Sequence, residues 1–155
     1  MCNRTHLATG WATIKHNKIS VIPRLTTFTH KYFLNEPSSE AQLRVMLSNC
    51  GLGPAVIKSY EILVDGKPAL VNEPSEYYQV VQIAVTSTLD IQRCRFTILR
   101  KETVLAQGEE IVVADIYAAY TTSQQLDEFK KFHIKVCYES LYGQSFTYDS
   151  RDHLP

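Results

Sequence analysis

The residues best suited to chemistry in this chain meet in one short run, Asn49-Cys50-Gly51-Leu52-Gly53-Pro54-Ala55. A cysteine in a turn can expose its thiol while neighbouring backbone amides stabilise an oxyanion. Cys50 is therefore the candidate nucleophile of an enzyme whose base comes from a distant part of the chain. The five histidines, His6, His16, His30, His133 and His153, are scattered, and no two stand at i and i+4 on a helix. Gly51-Leu-Gly53 hints at a phosphate loop but lacks a third glycine, and Pro54 stands where a phosphate-binding amide is wanted. No GxSxG elbow, P-loop, HExxH or GxGxxG pattern occurs. The plainer reading of the run is a turn, with Gly51 and Gly53 expected to supply positive φ and Pro54 to preset its own.

The four cysteines, Cys2, Cys50, Cys94 and Cys137, are too widely spaced for a zinc pattern, and neither a metal nor a cofactor is expected. Cys94 and Cys137 fall in expected strands, where a free thiol packs as a small apolar group; a bridge between them is the alternative and needs an oxidising compartment. Cys2 follows the initiator Met, but no signal peptide supports a lipid on it. Asp115 lies inside the apolar run Ile111 to Ala119. Facing outward it needs nothing; facing inward it needs Arg93, Arg95 or a tyrosine hydroxyl. Among nine tyrosines, Tyr77, Tyr78 and Tyr142 are candidate binding residues, because exposed tyrosine brings contact area at low entropic cost.

Short extended segments must position these groups. Ile19, Val21 and Leu25 suggest a first strand, with Pro23 marking an edge. Leu43, Val45 and Leu47 alternate with Gln42, Arg44 and Ser48. Val56 to Val64 is partly apolar on both faces, as a central strand would be, and Asp65-Gly66 is a favoured hairpin pair with Lys67 to Val71 returning. Tyr77 to Thr86 is rich in β-branched and aromatic residues. Cys94, Phe96 and Ile98 alternate with Arg93, Arg95 and Thr97; Val104-Leu105, Ile111 to Tyr117, and Ile134, Val136 and Tyr138 complete the set. Thr122-Ser-Gln-Gln125 fits a capping box, and Leu126, Phe129 and Phe132 at a spacing of three suggest one short helix near 122–132, ended by His133.

Seven or eight strands with one late helix predict a mainly β chain, an immunoglobulin-like antiparallel β-sandwich, with a partly open barrel as the alternative. Residues 1–15 read as an N-terminal extension, 16–148 as a single domain, and 149–155 as a polar tail. At 155 residues and 45% hydrophobic the chain can bury a core without staples. Sixteen basic and sixteen acidic residues cancel, which disfavours nucleic acid as a partner. No stretch of about 18 apolar residues is present to span a bilayer.

His16-Asn17-Lys18-Ile19-Ser20-Val21 with Pro23, then Asn49 with Gly51, Gly53, Pro54, Ala55, Val56, Ile57 and Lys58, Asp65-Gly66, and Tyr138 with Ser140, Tyr142 and Gly143 carry a resemblance. Over residues 15 to 146 the chain resembles a group of small uncharacterised bacterial proteins. The resemblance implies a β-rich domain without assigned activity, usually following one membrane helix that ends just before the His-Asn motif. Thr5 to Lys15 cannot span a bilayer, so membrane association requires an anchor upstream. In that case Lys15, Lys18 and Arg24 place the domain at the cytoplasmic face.

Two function classes follow. The first is a non-catalytic module that binds a protein partner or itself through a sheet edge or a tyrosine-bearing surface. The second is a small-ligand binder or enzyme with a site assembled from distant residues, such as the Cys50 thiol.

Overall fold

The computed structural model describes residues 21–34, 40–69, 90–120 and 132–153. Nine strands occur in them: β1 Leu25–Leu34, β2 Glu40–Asn49, β3 Ala55–Val64, β4 Lys67–Pro68, β5 Asp90–Phe96, β6 Val104–Leu105, β7 Glu110–Ala119, β8 Phe132–Glu139 and β9 Ser145–Asp149. All pairings are antiparallel. They build two sheets, β1-β2-β7-β5 and β4-β3-β8-β9, with β6 also paired to β3. Lettered along the chain, with β6 left aside, these orders read A-B-E-D and C′-C-F-G, the arrangement of the immunoglobulin sandwich. The sheets stay separate and do not close into a barrel, so the sandwich expectation holds.

Alternation decides which faces meet. On β2, Ala41, Leu43, Val45 and Leu47 turn inward and are buried. Ile116 and Ala118 of β7 and Ile91 of β5 share their layer, facing Ile57 and Ile62 of β3 and Ile134, Val136 and Tyr138 of β8 in one cluster. Each fully buried leucine or isoleucine contributes about 1.5–3 kcal/mol relative to exposure. Two tyrosine hydroxyls stitch the sheets at the β1 side. Tyr148 Oη accepts from Thr27 N at 2.9 Å and lies 2.6 Å from Thr27 Oγ1, and Tyr138 Oη accepts from Leu25 N at 3.5 Å. Burial holds the Tyr138 hydroxyl above its ordinary pKa, with smaller opposing effects from Leu25 N and Arg24.

Several expectations are corrected. The first strand begins at Leu25, where the reading from 19 had it end, because Arg24 N donates to the Asn49 side chain at 3.1 Å and Pro23 has no donor. β1 then runs on through Leu34, a stretch with no clean period-2 signal. Phe132, expected on a helix stripe, opens β8 opposite Val64 and packs against Phe96 at 5.9 Å between ring centroids. His133 sits opposite Leu63. β9 was unforeseen, and Asp149, expected to start a polar tail, closes it; a 3-10 turn, Ser150–His153, follows, and Ser150 Oγ accepts from Ile134 N at 3.0 Å. Of the return strand expected over Lys67 to Val71, Lys67–Pro68 is strand and Ala69 is not, while residues 70–71 lie outside the described residues. The extension 1–15, the Tyr77 to Thr86 strand with Tyr77 and Tyr78, and the rest of the helix near 122–132 lie outside the described residues.

Candidate protein-binding end

In this strand order the B–C, D–E and F–G connections, residues 50–54, 97–109 and 140–144, emerge at one end of the sandwich, and residues 21–24 join them there. The end is built around Asn49, which is 0% exposed. Its Nδ2 donates to Gly53 O at 2.8 Å and Leu105 O at 3.0 Å, and its Oδ1 accepts from Arg24 N and Gly51 N, each at 3.1 Å. Its backbone N donates to Glu109 O at 3.1 Å, and its carbonyl accepts from Gly108 N at 2.9 Å. Asn49 thus ties three stretches of chain, 21–24, 49–53 and 105–109, with every side-chain donor and acceptor matched.

Gly51 and Gly53 are needed here for a reason other than the one expected. Neither has φ in the left-handed region. A Cβ on Gly53 would lie 2.0 Å from Val21 O, and one on Gly51 would lie 2.2 Å from Arg24 N. The segment 21–24 runs directly against the turn, and Cys50 N and Leu52 N donate to Arg24 O and Ile22 O at 2.8 and 3.0 Å. Space, not dihedral freedom, selects glycine at both positions. Positive φ belongs instead to the hairpin pair expected from sequence, Asp65 at 50° and Gly66 at 76°, the signature of a type I′ turn.

The other connections are held as firmly. Ser140, buried, accepts through Oγ from Tyr142 N and Gln144 N at 3.3 and 3.2 Å, while its backbone exchanges bonds with Gly143 and Gln144. Ala106 N donates to Glu109 Oε2 at 2.7 Å, closing the D–E turn. These fixed loops carry five of the large apolar side chains that the described surface exposes: Leu52 at 60%, Ile98 at 39%, Val104 at 51%, Leu141 at 68% and Tyr142 at 53%. Exposed apolar side chains collected on rigid loops at one end have the make-up of a contact surface.

The chemical candidates fare differently. Cys50 is exposed, and its Sγ lies 3.6 Å from Ser48 Oγ; among the described residues no imidazole reaches it. Cys94 and Cys137 are both free, with no bridge between them; Cys94 lies beside Ile116 in the first sheet and Cys137 beside Ser59 in the second. Burial pushes the Cys94 thiol up. Asp115 points outward, yet its partners are ones the sequence did not suggest: Gln42 Nε2 donates to it at 2.7 Å and Arg44 Nη2 lies 3.7 Å away. No group of three His, Cys, Asp or Glu residues among the described residues is arranged to hold a metal ion. Of the tyrosine candidates, Tyr142 is on this loop end. Leu52, Leu141 and Val104 were missed; Gly51-Leu-Gly53, with a leucine at the tip of a glycine turn, was the signal available for the first.

Compared with known proteins, the chain matches no protein-family model, no curated protein and no solved structure.

Proposed function

We propose that this chain is a non-catalytic protein-interaction module that grips its partner with the loop end of the sandwich. The observation that carries the reading is the pairing of exposure with rigidity: Leu52, Leu141 and Tyr142 stand out from turns whose backbones are pinned by Asn49 and Ser140. Binding orders little that is not ordered already, so apolar contact there is converted to affinity with small entropic loss. Tyrosine is also a preferred anchor residue at interfaces. Beside the apolar side chains, Lys58 is bridged to Glu102 of the D–E connection and to Glu139 at 3.0 and 3.2 Å, paired and solvated charges of the kind that rim an interface.

The test is a bait experiment with the full chain against a double variant, Leu52→Ser with Tyr142→Ala. Both positions are exposed, so stability should change by no more than about 0.5 kcal/mol. The expected result is loss of specific partners, or of self-association in sedimentation, at unchanged melting temperature. Identical partners and identical oligomeric state for both forms would end the proposal.

A further inference from the structure

The outward face of the first sheet carries a second feature, made by cross-strand register. In one row His30, Arg44, Asp115 and Arg95 lie side by side on β1, β2, β7 and β5; in the next stand Tyr32, Gln42, Tyr117 and Arg93. Asp115 is already satisfied by Gln42 and Arg44. Arg44 also lies 5.8 Å from the Tyr32 ring centroid, and Arg93 lies 4.1 Å over Tyr117, each guanidinium laid against an aromatic face. Arg93 and Arg95 therefore remain, with no ion pair to a carboxylate among the described residues, exposed and two positions apart on one strand face.

We infer that this face binds an extended acidic segment of a protein, with carboxylates at alternate positions received by Arg93 and Arg95. Alternate residues of a β-strand lie roughly 6.6 Å apart on one face, so an extended segment repeats its carboxylates at the spacing at which β5 repeats its guanidiniums. Guanidinium forks take carboxylates bidentately, and stacking on Tyr117 fixes the plane of one fork in advance. Charge also limits the ligand's length. Glu40 and Asp90 close one end of the face and Glu110 the other, so a long polyanion meets repulsion where a short acidic stretch does not. The Tyr117 ring is covered by Arg93, which removes the open π-face on which a nucleic-acid base would stack.

The probe is a short synthetic peptide alternating glutamate with serine, titrated into the isotopically labelled full chain at low ionic strength and followed by amide shifts. Expected are shifts confined to β2, β5 and β7, and affinity about tenfold weaker in Arg93→Gln/Arg95→Gln. A Lys135→Glu variant on the other sheet should bind as the parent does. The same peptide with lysine for glutamate should not bind, and rising salt should weaken the acidic peptide. The Leu52→Ser/Tyr142→Ala variant should bind it unchanged, which separates this face from the loop end. Absence of shifts, shifts elsewhere, or affinity indifferent to the two arginines overturns the inference. Equal or tighter binding of oligothymidylate at the same residues would overturn it in favour of a nucleic acid.

Discussion

Replacing Gly53 by alanine attacks the point where the chain passes closest to itself. The added methyl would sit 2.0 Å from the Val21 carbonyl oxygen and 2.8 Å from its carbonyl carbon, so one of two backbones must move. Neither is free to do so. Gly53 O is held by Asn49 Nδ2 at 2.8 Å, and the 21–24 segment is held by Leu52 N and Cys50 N. Overpacking of this kind costs about 1–3 kcal/mol. Displacing either side also leaves a buried partner unsatisfied, at about 1–3 kcal/mol more. The expected loss is about 2–6 kcal/mol, a large share of the about 5–15 kcal/mol that holds an ordinary domain together. In thermal unfolding followed by circular dichroism this corresponds to a fall on the order of 10 °C. Gly66→Ala is the comparison. Nothing lies within 4 Å of its Cβ, but its φ is 76°, so the substitution costs only backbone strain, about 1–2 kcal/mol. Hydrogen exchange should show Cys50 and Leu52 amides opening faster in the Gly53 variant alone. A Gly53→Ala protein no less stable than Gly66→Ala would refute the close approach and the whole construction of the loop end.

Tyr148→Phe removes the hydroxyl that accepts from Thr27 N and meets Thr27 Oγ1; it should cost about 1–3 kcal/mol in urea unfolding with an unchanged denaturant slope. Arg151→Ala releases Asp149, whose carboxyl is held down to about 2 chiefly by its hydrogen bonds with the Arg151 guanidinium. A carboxyl with a depressed folded pKa contributes stability above its unfolded value, near 4, and loses it as pH falls toward about 2. The stability gap between parent and variant should be full at neutral pH and vanish through that window, as differential melting across pH would show; a gap independent of pH would refute the assignment.

Much of the sandwich was legible because burial on one face writes itself into the sequence with period 2. Leu43, Val45 and Leu47 are buried at 3%, 7% and 0%; Gln42 and Arg44 share the opposite face, as their alternation requires, though Gln42 is only 8% exposed there. Val56 to Val64 was partly apolar on both faces, interrupted by Lys58, Ser59 and Glu61, and β3 does lie inside its sheet, between β8 and the short β4 and β6. β1 and β9 were hidden for different reasons. Both are outermost among the described strands on one side of the sandwich; β1 mixes polar and apolar residues without rhythm, whereas β9 alternates over Ser145–Asp149 but is only five residues long. What anchors them is polar, two tyrosine hydroxyls reaching across to β1 amides. A hydrogen bond from a side chain more than a hundred residues away leaves no periodic trace.

The two surfaces argued to bind were less visible, and the difference is physical. Asn49 looked like ordinary turn chemistry, because asparagine at the start of a glycine-bearing loop favours a turn whatever else it does. Only the return of residues 105–109 and 21–24 to the same point turns it into a buried junction with four side-chain bonds. The arginine face depends on register still more directly. Arg93 and Arg95 read as the wet side of a half-exposed strand, and Asp115 as a lone charge awaiting one of them. Pairing β2 with β7 places Arg44 opposite Asp115 and Gln42 within reach of it, which takes the acid away from β5. The cations that the sequence offered as partners for Asp115 are thereby left over, and their being left over is the property on which the acidic-ligand inference stands.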